Sequence, residues 1–115
     1  MSVKIEIAQL LDQADKLNKE HKSSEVISLL DDTILEKYNS AELYAKRGGA
    51  HALLKELDKA LFYCNKSIEL NPDHYKAYDY RGSIWIKKKD YRKAIKDGNV
   101  IAKGSVKFLI QVADA

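Results

Sequence analysis

One cysteine, one proline and five glycines among 115 residues leave this chain short of what several protein classes require. Cys64 has no partner for an internal disulfide and cannot make a metal site by itself, and it falls on an apolar helical pattern where a buried thiol acts as a small hydrophobe. With Pro72 as the single proline, the turn punctuation of a sandwich or barrel is missing. The three histidines, His21, His51 and His74, are scattered, with no metal-ligand spacing, and neither a glycine-rich phosphate loop nor a serine elbow accompanies them. The sequence therefore predicts no enzyme, no cofactor and no metal. No run of apolar residues is long enough to span a bilayer, and the start, Met1 to Glu6, lacks the apolar stretch of a signal peptide, so a cytoplasmic location is expected. Charge of one sign is also lacking. Twenty Lys and Arg face seventeen Asp and Glu, for a net charge of +3, which steers the molecule toward neither nucleic acid nor membrane. The densest basic run, Lys87 to Lys93, is interrupted by Asp90 and reads as a solvated helix end and turn.

What remains is a chain that is 45% hydrophobic and 32% charged, a balance suited to an all-α protein. Ile7, Leu10, Leu11, Ala14 and Leu17 recur at helical spacing between Ile5 and Asn18. A second helix is expected through Val26, Ile27, Leu29, Leu30, Ile34 and Leu35, capped by Ser23 or Ser24. Asn39 and Ser40 punctuate before a third over about 41–54. A fourth over about 57–70 stops at Asn71-Pro72, since proline cannot continue a helix. A fifth runs over about 74–87 and a sixth over about 91–102. Gly98-Asn99 costs the sixth about 1 kcal/mol relative to alanine and is expected to bend, fray or shorten it.

These helices repeat. "YAKRGGAH" begins at Tyr44 and "YDYRGSIW" at Tyr78, an offset of 78 − 44 = 34, and Lys55, Lys59, Ala60 and Asn65 return as Lys89, Lys93, Ala94 and Asn99. A period of 34 with two helices per period resembles the tetratricopeptide repeat family. Aligned on Pro72, the family's signature places fall on Tyr44, Gly48 and Ala60, and one period later on Tyr78, Gly82, Trp85 and Ala94. The period before, about 7–40, resembles the family through Leu10, Ala14, Leu17, Val26 and Leu30. The resemblance implies a right-handed superhelical stack of about three antiparallel helix-turn-helix repeats, about 7–40, 41–74 and 75–108, in one domain over 1–115. Helix axes approach to about 8 to 10 Å only where the contact residues are small, so Gly48 should face Ala60 and Gly82 should face Ala94. Tyr44, Tyr78 and Trp85 should fill the gaps between helices.

The tail, "SVKFLIQVADA" from Ser105, fits both periods. Val106, Leu109, Ile110 and Ala113 follow helical spacing, whereas Val106, Phe108, Ile110 and Val112 alternate as in a strand. A repeat stack needs a cap over its last apolar face, which favours a short capping helix over 105–115. Phe108 and Val112 are left over, and point to self-association or to a continuation of the chain.

The resemblance also implies a function, a non-catalytic scaffold whose concave groove, lined by the first helix of each repeat, holds a peptide or helix of another protein. The matching places are Leu11, Asp12, Asp15, Asn18 and Lys19, then Ala45, Lys46, Gly49, Ala52 and Leu53, then Lys76, Asp79, Tyr80, Ser83, Ile86 and Lys87. Small residues such as Gly49 should make room, Tyr80 and Ile86 should anchor apolar groups, and Lys46 with Lys76 should supply charge. One subset of the family grips the terminal carboxylate of heat-shock chaperones with Lys, Asn and Arg side chains. Only Lys76 fits that set here, because Leu11, Asp15, Lys46 and Tyr80 stand at its other places and Asp15 would repel a carboxylate. The expected partner is a protein, not nucleic acid or membrane. The alternative is a self-associating or chaperone-like module that uses the groove or the apolar tail.

Overall fold

A computed structural model describes residues 2–114, and among these every regular element is a helix: α1 Val3–Lys19, α2 Ser23–Leu29, α3 Asp32–Tyr38, α4 Ala41–Leu53, α5 Leu57–Leu70, α6 Tyr75–Lys87 and α7 Tyr91–Asp114. None is long and apolar enough to cross a membrane. Three of the starts, those of α1, α3 and α4, have a side-chain cap. Ser2 accepts a hydrogen bond from the Ile5 amide at 3.2 Å, Asp31 from Ile34 at 2.9 Å, and Ser40 from Leu43 at 3.3 Å, satisfying amides that the first turn leaves free. The Asp31 cap breaks the second expected helix in two. Asp31 takes an extended conformation, φ −70° and ψ 171°, because its carboxylate serves a new helix start better than it serves a helix interior. Neither Ser23 nor Ser24 caps α2; Lys22 precedes it without a side-chain hydrogen bond.

The 34-residue period reaches the backbone. His21, Lys55 and Lys89 occupy the turns α1–α2, α4–α5 and α6–α7, one period apart, and all three have φ between 60° and 63°. In each turn the next amide returns to the helix just ended: Lys22 to the Leu17 carbonyl at 2.9 Å, Glu56 to His51 at 2.9 Å and Asp90 to Trp85 at 2.8 Å. This six-to-one closure satisfies the last carbonyls and turns the chain back antiparallel.

Packing follows the pairs, α4 on α5 and α6 on α7, with α5 on α6 and α2 on α4 joining successive pairs into a superhelical stack. One apolar cluster gathers Ala14, Val26, Leu30, Leu35, Leu43, Tyr44, Ala50 and Tyr63. A second, between the α4–α5 and α6–α7 pairs, gathers Ala52, Ala60, Cys64 and Ile84. Gly48 lies where α4 crosses α5, and a Cβ there would stand 2.7 Å from Cys64 Sγ and 3.2 Å from the Ala60 carbonyl oxygen. Gly82 is different from its expectation. A Cβ there would sit 3.6 Å from Asp97 Cβ and 3.9 Å from the Ala94 oxygen, ordinary contact, because Asp97 rather than a close helix crossing occupies the space. Tyr44 and Tyr78 are buried as expected, while Trp85 is half-buried under the Lys93 ammonium, 4.4 Å from the ring centre.

Asp97 is 3% exposed and meets Arg81 in two hydrogen bonds, Nε to Oδ2 at 2.9 Å and Nη2 to Oδ1 at 2.7 Å. One period earlier, Arg47 donates to the Leu30 carbonyl at 3.0 Å and to Asp32 at 3.1 Å. The arginine shared by the two quoted octapeptides thus ties each first helix to a neighbouring second one.

Two expectations for the C-terminal end are corrected. Gly98 does not shorten the sixth helix, since it is solvent-exposed with no neighbour within 4 Å of its missing Cβ and a propensity cost of about 1 kcal/mol is small against the hydrogen bonds of a long helix. Nor does a separate cap fold over the stack. The tail continues α7, and Val106, Phe108, Leu109, Ile110 and Val112 are all more than half exposed. Deleting residues 106–115 is accordingly expected to move the thermal midpoint by less than about 3 °C; a larger fall, measured by circular dichroism on the monomer, would show that the tail covers the stack.

Candidate functional site

Helix periodicity gives α4 two working faces. Tyr44, Gly48 and His51 point into the α5 side, whereas Glu42, Ala45, Lys46 and Gly49 form a face centred about 140° away around the axis. On that second face α4 is flanked by α1 and α6, and the three first helices enclose a cleft of about 200 Å³ lined by Leu11, Asp15, Glu42, Ala45, Lys46, His74, Lys76 and Tyr80. Leu11, Asp15, Lys46, Lys76 and Tyr80 come together here from three helices. Asp79, Ser83 and Ile86 do not line it; they continue along the exposed side of α6, with Ile86 55% exposed.

The cleft is smaller than the sequence predicts because Gly49 makes no open room. The Tyr80 ring fills that space, and a Cβ on Gly49 would stand 2.9 Å from Tyr80 Cζ. Its charges are also engaged. Lys46 Nζ reaches Asp15 Oδ1 at 2.7 Å and Lys76 Nζ reaches Asp79 Oδ2 at 3.7 Å, with the Lys76 ammonium 5.2 Å from the centre of the Tyr80 ring. Burial works against the charge on Lys46, but the hydrogen bond it donates to Asp15, with Tyr80 and Glu42 nearby, outweighs it and raises its pKa above the usual lysine range. Burial pushes the His74 pKa down, opposed by Glu42 and aided by Lys46, which favours a neutral imidazole at the rim.

Sequence reasoning missed Glu42 and His74. The signal for Glu42 was available, as it sits one helical turn before Ala45 and Lys46 on the same face. His74 carried none, since it precedes α6 and reaches the rim through the turn after Pro72. Elsewhere, burial pushes the Cys64 thiol up to about 12, with Arg81 pulling it down and Asp97 pushing it up, so thiolate is scarce at neutral pH. Among the described residues no group of three His, Cys, Asp or Glu is placed to hold a metal ion.

A profile of the tetratricopeptide repeat matches residues 41–74, the α4–α5 pair with the loop that follows. Residues 41–74 form a tetratricopeptide repeat. The α1–α3 and α6–α7 units carry the same turn at the same period, and the whole stack has the tetratricopeptide fold. Its structure aligns with the second TPR of Spaghetti (RPAP3), solved bound to the HSP90 peptide SRMEEVD, with a TM-score of 0.74 and 22% identity over 83% of this chain and 88% of that one. The Protein SGT1 homolog of Oryza sativa subsp. japonica is 38% identical over 72 residues, 60% of this chain. This chain spans about a fifth of that relative's length, 20%.

Proposed function

We propose that the chain is a non-catalytic scaffold, working in the cytoplasm, that holds an internal segment of another protein against the cleft of α1, α4 and α6. The observation that carries this reading is the convergence of Leu11, Lys46, Lys76 and Tyr80 on one concave face. A peptide-bound structure with the same fold supports it. The cleft favours a segment over a chain terminus. Lys46 is held by Asp15 and Lys76 by Asp79, so a terminal carboxylate would compete with carboxylates already in place. Apolar contact with Leu11 and the Tyr80 ring, and one acidic side chain near Lys76, is the pattern the groove accepts.

Peptides selected by display on the purified chain provide the test. Tyr80→Ala and Lys46→Glu are expected to weaken the best binder about tenfold or more, and Lys96→Glu on α7 less than about twofold. The peptide SRMEEVD should bind worse than the selected one. Equal losses from all three substitutions in folded protein would refute the groove assignment.

A second reading has its own observation, the apolar side chains of α7 that stand in solvent. Self-association through them would appear as a mass that rises with concentration in sedimentation and falls when residues 106–115 are removed.

A further inference from the structure

The break between α2 and α3 does more than shorten a helix. On the side of α4 opposite the cleft it leaves a trench between α2–α3 and α5. The trench has two hollows, of about 610 and 800 Å³, which share Phe62 and Tyr63. Tyr44, Arg47 and His51, one turn apart on α4, form the floor. Phe62 stands on the α5 wall, 64% exposed, with the edge of one ring against the face of another as its contact to Tyr63, 5.1 Å between centres at 85°.

We propose that this trench is a second docking surface and that its occupant is a basic segment of another protein, presenting a lysine or arginine beside an aliphatic or aromatic side chain. Charge complementarity selects that occupant. The wider hollow is lined by Asp32, Glu36 and Glu69 against Lys66. Arg47, at the junction of the hollows, already holds Asp32 at 3.1 Å, and Asp32 also accepts from the Tyr63 hydroxyl at 3.0 Å. Glu36 and Glu69 make no ion pair within 4.0 Å among the described residues. In a chain of net charge +3, this end of the trench is locally negative. The Tyr44 phenol on the floor responds to it: burial first, then Glu36 and Asp32, push its pKa above the ordinary value. A cation seated between Glu36 and Glu69 would be desolvated beside low-dielectric aromatic walls, where its attraction to carboxylates strengthens. Phe62 offers its exposed face to the apolar neighbour and to the cation itself, while the buried Tyr63 ring is already covered by His51 and by the Arg47 guanidinium, 4.3 Å from its centre. Nucleic acid does not fit, since its phosphates would meet the same carboxylates.

The test uses the full chain and a labelled peptide of alternating leucine and arginine, with a second peptide in which glutamate replaces arginine. The arginine peptide is expected to bind saturably and to shift the backbone amides of Glu36, Phe62, Asn65 and Glu69 in nitrogen–proton correlation spectra. Glu36→Lys with Glu69→Lys, both at exposed positions, should weaken it about tenfold or more, and Phe62→Ala about threefold or more. Lys46→Glu, on the opposite face, should leave its affinity unchanged, which keeps this surface separable from the cleft. Circular dichroism establishes that each variant is folded. Equal binding of the two peptides, shifts confined to α1 and α6, or an unchanged affinity in the double variant would overturn the proposal. So would concentration-dependent shifts of the same amides without any peptide, which would assign the trench to a second copy of the chain.

Discussion

Asp97→Ala should lower stability by about 3 kcal/mol or more, and the thermal midpoint by more than about 10 °C for a domain of this size. The carboxylate is 3% exposed and takes both Nε and Nη2 of Arg81 in a parallel pair of hydrogen bonds, 2.9 and 2.7 Å long. The Arg81 side chain is itself only 22% exposed. Removing the carboxylate leaves a guanidinium in a poorly solvated place, and that uncompensated charge costs more than the lost hydrogen bonds. Asn65, 3.0 Å from Nη1, and the Tyr78 ring, 5.3 Å from the guanidinium carbon, retain part of the interaction, which places the effect toward the lower end of the range for buried pairs. Pairing Asp97→Leu with Arg81→Met should recover much of the loss, because an apolar pair of similar volume needs no compensation. Chemical denaturation of the three proteins decides it. A loss below about 1 kcal/mol in Asp97→Ala would mean that Arg81 finds water when its partner is gone.

How far the sequence reveals this molecule depends on which interactions fix each part. Helix α5 is legible residue for residue, since its apolar spacing, its 34-residue echo and the Asn71-Pro72 stop all agree. The α2–α3 break is not, because Asp31 and Asp32 fit equally well on the wet face of one helix or at the start of another, and the choice rests on tertiary packing of Leu30 and Leu35 in the first core cluster. The length of α7 is misjudged for the opposite reason: a local penalty at Gly98-Asn99 is read as decisive when helix cooperativity absorbs it. Within the cleft, the repeat register collects Leu11, Asp15, Lys46, Lys76 and Tyr80, since register alone decides which face of each helix they occupy. That Tyr80 covers Gly49, and that Asp15 holds Lys46, depends on distances between helices, which no single-helix pattern encodes. The trench was invisible because it follows from the break.

Gly48 and Gly82 hold the same place in successive repeats, yet opposite results are expected when each is replaced. At Gly48 a Cβ would lie 2.7 Å from Cys64 Sγ, 3.2 Å from the Ala60 carbonyl oxygen and 3.2 Å from the Cys64 nitrogen. Two of those three atoms belong to the α5 backbone, so a side chain must push the helices apart and disturb the core cluster of Ala52, Ala60, Cys64 and Ile84. Gly48→Leu is expected to destabilise by about 3 kcal/mol or more, and Gly48→Ala by about 1 to 2 kcal/mol after the helix-propensity gain is subtracted. At Gly82 the nearest atoms, Asp97 Cβ at 3.6 Å and the Ala94 oxygen at 3.9 Å, stand at ordinary contact distance. There alanine fits without movement and limits the freedom of the unfolded chain, so Gly82→Ala should stabilise by about 0.5 to 1 kcal/mol. Cys64→Ala in the Gly48→Ala background should restore only part of the loss, since the clash with backbone atoms remains. Urea unfolding of the alanine variants at matched slope provides the measurement, and losses of equal size at Gly48 and Gly82 would show that shared place in the repeat, not the space observed around each glycine, sets the cost.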